Sequence, residues 1–197
     1  GGVTVAGTTV TITSAGTYSF SGTLNDGQIM VNTGDEEKVK LILNGVSIAN
    51  STSSPIYVLN ADKTIVTLAE GTENDVTDGD SYVLTDPESD EPNAAIYSND
   101  DLTLNGSGSL TVEANYNNGI ASKDDLKITG GTITEIRGDI RFDRLGETTG
   151  IASATSEKVT GVLSAPMTSV TICEPMALEA RMGRSAASSG VTIGVRP

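Results

Sequence analysis

Ile96-Tyr97-Ser98-Asn99-Asp100-Asp101-Leu102-Thr103-Leu104-Asn105-Gly106 and Ile120-Ala121-Ser122-Lys123-Asp124-Asp125-Leu126-Lys127-Ile128-Thr129-Gly130 repeat one pattern 24 residues apart. Both copies contain Ser-x-Asp-Asp-Leu followed by one residue and then an apolar one. Leu102 and Leu104 alternate with polar neighbours, as do Leu126 and Ile128. That is the period of a strand with one buried face. Each copy ends at a corner carrying Asn105-Gly106 or Gly130-Gly131, where glycine takes positive φ at little cost. Earlier in the chain, Gln28-Ile29-Met30-Val31 and Pro55-Ile56-Tyr57-Val58 repeat the opening of the pattern. Val39, Leu41 and Leu43, ahead of Asn44-Gly45, repeat its second half.

A unit of roughly two dozen residues with two or three short strands cannot bury its own apolar face. Stacking such units in register, about 4.8 Å apart, gives a continuous aliphatic interior. The expected fold is therefore all-β: a parallel β-helix, or solenoid, somewhat irregular because the copies are unevenly spaced. An antiparallel sandwich also uses short strands and glycine turns. Recurrence of equivalent residues in register favours the solenoid.

Composition agrees. The 197 residues include two Phe, five Tyr and no Trp, so the core must be built of Val, Ile, Leu and Ala. The formal charge of −14 disfavours nucleic acid and anionic membrane as partners. No apolar run is long enough to insert into a bilayer. The single cysteine, Cys173, excludes an intramolecular disulfide and a cysteine-based zinc site. The absence of histidine removes Ser-His-Asp and Cys-His catalysis in their usual forms, and histidine-ligated metals.

The chain changes character after Thr134. Residues 1–134 hold 5 Lys, no Arg and 19 acidic residues, whereas residues 135–197 hold 6 Arg, 1 Lys and 7 acidic residues. Residues 1–134 are read as the solenoid domain. Residues 135–197 are read as degenerate rungs or a C-terminal cap, with Gly150-Ile151-Ala152-Ser153 echoing Gly119-Ile120-Ala121-Ser122.

In-register stacking would set Asp100 over Asp124 and Asp101 over Asp125. Two carboxylates about 5 Å apart repel by about 1 kcal/mol in water and about 3 kcal/mol at an effective dielectric of 20. A hard cation relieves that repulsion, and calcium takes six to eight oxygen ligands. Asp86, Asp90 and Asn93, in a loop just before a rung, and Asn99, beside the ladder, are further candidate ligands. A third cluster is Asp75, Asp78 and Asp80. None has the spacing of an EF-hand, and a solvated acidic loop is the alternative for each.

At these residues the chain resembles a family of bacterial carbohydrate-binding proteins with a disorganised, pectate-lyase-like, right-handed parallel β-helix. Gly16-Thr-Tyr-Ser-Phe-Ser-Gly-Thr-Leu24, Leu41-Ile-Leu-Asn-Gly-Val-Ser-Ile48, Asp90-Glu-Pro-Asn-Ala-Ala-Ile-Tyr-Ser98 and Asn118-Gly-Ile-Ala-Ser-Lys-Asp-Asp-Leu-Lys-Ile-Thr-Gly-Gly-Thr-Ile133 carry the resemblance, with Asp26-Gly-Gln-Ile29 and Asn60-Ala-Asp-Lys63. It spans about residues 10–134. The resemblance implies a secreted or cell-surface location, bound calcium, and recognition of acidic plant polysaccharide such as polygalacturonate, with cellulose as a further ligand.

Calcium with open coordination positions would bridge an acidic protein to a polyanion. Tyr57 and Tyr97, at equivalent rung positions, are candidate sugar-stacking residues, with Lys123 and Asn117 as polar contacts. Simple packing between strands is the alternative for the tyrosines. Two other functions stay open. A solenoid module of an adhesin would use calcium for rigidity alone. A polysaccharide lyase would need a basic side chain, here Lys123, Lys127 or a tail arginine such as Arg137 or Arg141. Exposed solenoid ends also invite end-to-end self-association.

Overall fold

The computed structural model describes residues 2–34, 38–86 and 88–136, with side chains as far as Thr134, and beyond these the backbone of six further strands. Among the described residues there are strands and turns but no helix. Among these residues no helix is long and apolar enough to cross a membrane.

Strand β1 (Val3–Ala6) pairs antiparallel with β2 (Thr9–Ile12), and every other described pairing is parallel. The parallel strands form three ladders. The first runs through β2, β4 (Gln28–Asn32), β6 (Ile56–Asn60), β9 (Ala94–Ser98) and the first half of β12 (Asn118–Ile128). The second begins with the first parts of β3 (Gly16–Leu24) and β5 (Lys38–Asn50). It continues through β7 (Lys63–Leu68), β10 (Asp101–Gly106) and the second half of β12. The third takes the ends of β3 and β5, then β8 (Glu73–Asp78), β11 (Ser109–Glu113) and β13 (Thr132–Ile136).

The ladders do not stop at Thr134. Strands β14 (Asp139–Leu145) and β16 (Lys158–Leu163) extend the first two, and β15 (Ser153–Thr155) extends the third. Strand β18 (Glu179–Met182) adds to β16, while β17 (Val170–Cys173) and β19 (Ile193–Arg196) pair with each other.

Register follows the sequence repeat. Ser98 stands opposite Ser122 and Leu102 opposite Leu126, so the 24-residue offset read from the sequence is also the stacking offset. The interior is built of columns of like residues. Ile29, Ile56, Ile96 and Ile120 form one, and Leu41, Val66, Leu104 and Ile128 another. All eight are buried. Corners impose their own demand. Gly106 has φ +104°, and an added Cβ would lie 2.1 Å from the Leu68 carbonyl oxygen of the neighbouring rung. Only glycine suits both conditions.

One core column contains a flaw. Thr64 sits between Val39 and Leu102 with no exposed surface, and its buried hydroxyl has no hydrogen-bond partner among the described residues. Thr64→Val keeps the shape and removes the unpaired hydroxyl, so it is expected to stabilise the fold by about 1 kcal/mol. A higher urea midpoint at unchanged m-value would show this; a lower midpoint would mean that the hydroxyl has a partner.

Candidate functional site

The outward-facing positions of the first ladder align Thr11, Met30, Tyr57, Tyr97 and Ala121 in one column. The corner preceding this ladder is short in most rungs. Between β8 and β9, however, it expands into the loop at 79–93, which stands beside the column.

Both ends of that loop are pinned. At its start, the Tyr82 ring stacks on Tyr116 with centroids 4.2 Å apart. The Tyr82 hydroxyl donates to Asp78 Oδ2 at 2.7 Å, and Val83 N–H donates to Thr52 O at 2.8 Å. At its end, Asn118 Nδ2 donates to the Asn93 carbonyl at 2.9 Å. In between, Asp86 Oδ1 accepts from Glu88 N–H and Ser89 Oγ accepts from Glu91 N–H, which orders the tip.

Asp78 is buried, and its other oxygen accepts from Asn115 N–H. Burial raises its pKa above the ordinary carboxylate value, against the lowering effect of these hydrogen bonds. A carboxyl whose pKa is raised on folding contributes stability below its unfolded pKa and loses it as pH rises through the folded value. Asn50 occupies the equivalent position one rung earlier, so an amide fits there. Asp78→Asn is therefore expected to gain stability relative to the native chain between about pH 4 and pH 7. Urea melts of both proteins at the two pH values test this. An unchanging difference would show that Asp78 does not titrate in this range.

The loop leaves a cleft on either side. One, of about 310 Å³, is lined by Met30, Tyr57, Asp86 and Glu91 among others. The other, of about 130 Å³, is lined by Asp90, Glu91, Asn93, Tyr97, Ser122 and Lys123. Glu91 belongs to both, and its Oε2 accepts a hydrogen bond from Lys123 Nζ at 2.7 Å.

The tyrosines pack edge to face, with centroids 5.8 Å apart and planes at 62°. Burial, followed by the charge of Glu91, raises the pKa of Tyr57 and, more strongly, that of Tyr97. Tyr97 is 1 % exposed, and its buried hydroxyl makes no hydrogen bond of good geometry among the described residues, facing Glu91 only as a weak donor. Its ring is thus no open platform for a sugar face, contrary to the stacking role expected from the sequence. The wall of the loop covers it, and Tyr57 remains half-buried beside it. Asn117 is exposed on the corner before β12 and lines neither cleft.

Asp100, Asp101, Asp124 and Asp125 lie between two registered pairs, Ser98 with Ser122 and Leu102 with Leu126. Their electrostatic surroundings are less one-sided than the sequence implied. The column through Asp101 has Lys63 and Lys38 on one side. Lys63 Nζ lies 3.2 Å from Asp101 Oδ2, and Asp100 Oδ2 accepts from Ala61 N–H at 2.9 Å. Cations of the chain therefore offset part of the repulsion without an ion. Asn99 Nδ2 donates to Leu59 O, while Asp86 and Asp90 line different clefts. Among the described residues no three acidic side chains converge to hold a metal. A stacked carboxylate pair supplies a minority of the six to eight oxygens calcium requires. An ion there would have to draw others from glycan, backbone or water.

Glu91, which borders both clefts, carries no signal in the sequence: nothing in its neighbours points to a lysine 32 residues later in the chain.

The geometry is that of a protein with polar clefts along one outer surface. A family model described as carbohydrate-binding domain-containing protein matches residues 6–137. A protein of that description from Acetivibrio thermocellus is 52% identical over 133 residues, which cover 68% of this chain and 46% of that protein. The matched region thus spans less than half of the relative's length. The structure of the polysaccharide lyase-like protein from C. thermocellum, a gadolinium derivative, superposes with a TM-score of 0.72 at 37% identity, covering 98% of this chain and 84% of that one. On the extent of these matches, the chain belongs to the carbohydrate-binding domain-containing protein family.

Proposed function

We propose that this protein binds acidic plant cell-wall polysaccharide, polygalacturonate above all and cellulose as a further ligand, without cleaving it. It would act outside the cell, secreted or held at the cell surface, on a frame whose three ladders wind as a right-handed parallel β-helix. The observation that carries the reading is the pair of clefts along the first ladder, where the half-buried Tyr57 ring in one and Lys123 in the other meet a loop rich in polar groups. Sugar-binding sites combine apolar ring surface with a few placed polar groups in this way.

Calcium belongs to the proposal as a bridge. A chain of formal charge −14 repels a polyanion, and a divalent cation between the two removes the repulsion. Asp100 with Asp124, and Asp101 with Asp125, would supply its protein oxygens. The lyase-like relative was solved as a gadolinium derivative, and a hard lanthanide draws on the same oxygen donors as calcium.

Affinity electrophoresis through a polygalacturonate gel, with calcium and with a chelator, tests the reading once the fold is verified in both. Retardation that depends on calcium is the expected result. Unchanged mobility in both gels would remove it. Appearance of unsaturated uronides in the ultraviolet would replace binding with lyase chemistry.

A further inference from the structure

Lys123 and Glu91 lie in the smaller cleft with Tyr97. The Glu91 carboxylate accepts from Lys123 Nζ at 2.7 Å. The buried Tyr97 hydroxyl faces the same carboxylate as a weak donor, without the geometry of a good hydrogen bond. One carboxylate thus serves the ammonium well and the hydroxyl poorly. Glu91 is also tethered: its backbone N–H is held by Ser89 Oγ, and the next residue is Pro92. A carboxylate that arrives untethered can choose its own orientation.

We propose that Glu91 is a built-in stand-in for the carboxylate of a uronic-acid residue, and that the ligand binds by displacing it from Lys123. The incoming carboxylate accepts from Lys123 Nζ with one oxygen, and the Tyr97 hydroxyl donates to its other oxygen or to the adjoining ring oxygen. Ser122 and Asn93, buried in the same lining, border the sugar ring. The released Glu91 turns to solvent, where the exposed tip of the loop gives it room. This inference rests on the acidic-glycan reading above and adds to it a direct subsite that needs no metal. Calcium bridging and ammonium recognition are then separable, because they use different residues of neighbouring rungs.

The geometry also explains why a carboxylate, rather than a neutral sugar, is the fitting occupant. The cleft already holds one, at charge-assisted hydrogen-bond distance from an ammonium. A protein whose competent state is only partly populated binds with an affinity reduced by that fraction. Glu91 therefore sets the threshold concentration for binding.

The test is calorimetric titration of the full chain with oligogalacturonate in the presence of a chelator, comparing Glu91→Gln, Lys123→Met and Tyr97→Phe with the native protein. Thermal melts are run first to establish that each variant is folded. Glu91→Gln is expected to bind about three- to tenfold more tightly, since the competitor is weakened. Lys123→Met is expected to bind at least about tenfold more weakly, as the loss of a charge-assisted hydrogen bond implies. Tyr97→Phe should weaken binding while leaving the melting temperature equal or higher, an outcome that a purely structural tyrosine would not give. Carboxyl-reduced oligosaccharide should show no gain with Glu91→Gln. Native binding that Glu91→Gln leaves unchanged or weakens would overturn the inference and spare the acidic-glycan reading. Absence of binding by both proteins, with and without calcium, would overturn both.

Discussion

Asn74→Leu is expected to lower the unfolding free energy by about 3 kcal/mol, although leucine matches asparagine in size and suits the core. Asn74 occupies an inward position of β8 and is 1 % exposed. Its Oδ1 accepts from Gly45 N–H at 3.0 Å and Val46 N–H at 3.1 Å, both on the preceding rung. Its Nδ2 donates to Ser109 O at 2.9 Å on the following rung and to Thr72 Oγ1 at 3.1 Å within its own. One amide thus serves the corners of three successive rungs, where turning backbone leaves groups that no ladder pairs. A buried donor deprived of its acceptor costs about 1–3 kcal/mol, and leucine would strand more than one group. Domains of this size have about 5–15 kcal/mol in all. Urea unfolding measures the loss as a shift of midpoint at constant m-value. A loss below about 1 kcal/mol would mean that water takes over these groups.

Leu104→Ala is expected to cost about 2–5 kcal/mol, the range for deleting a fully buried leucine side chain. Leu104 has no exposed surface and stacks between Val66 and Ile128. Each rung of a stacked fold contacts mainly its two neighbours, so the damage should be concentrated there. Hydrogen exchange should accelerate most in β7, β10 and β12 and least in β2 and β4. Uniform acceleration throughout would show that the stack unfolds only as a whole, with no local opening.

The contrast between these two positions shows what could be read in advance. Leu104 announces itself: it lies in a period-two alternation, in one of two matching copies, and both periodicities follow from local chain geometry. Asn74 does not. Thr72-Glu73-Asn74-Asp75 reads as a polar stretch before a strand, and its inward position depends on where the neighbouring rungs place Gly45 and Ser109. The candidate site divides in the same way. Equivalence of Tyr57 and Tyr97 was legible because they share a repeat position, and the structure stacks them in register. Burial of Tyr97 was not, because the loop that covers it interrupts the repeat and carries no periodic signal.

The sequence by itself determined the strands, the inward and outward alternation, the glycine corners and the register of Ser98 on Ser122 and Leu102 on Leu126. These depend on repetition, which converts a local pattern into a long-range register. Only the tertiary structure decided that Lys63 lies across from Asp101 and that Glu91 reaches Lys123. It also turned Asp78 inward to hold the loop at 79–93. Such contacts join residues of different rungs through side chains and an aperiodic loop. Their partners are set by where the folded chain brings them, which no period along the sequence encodes.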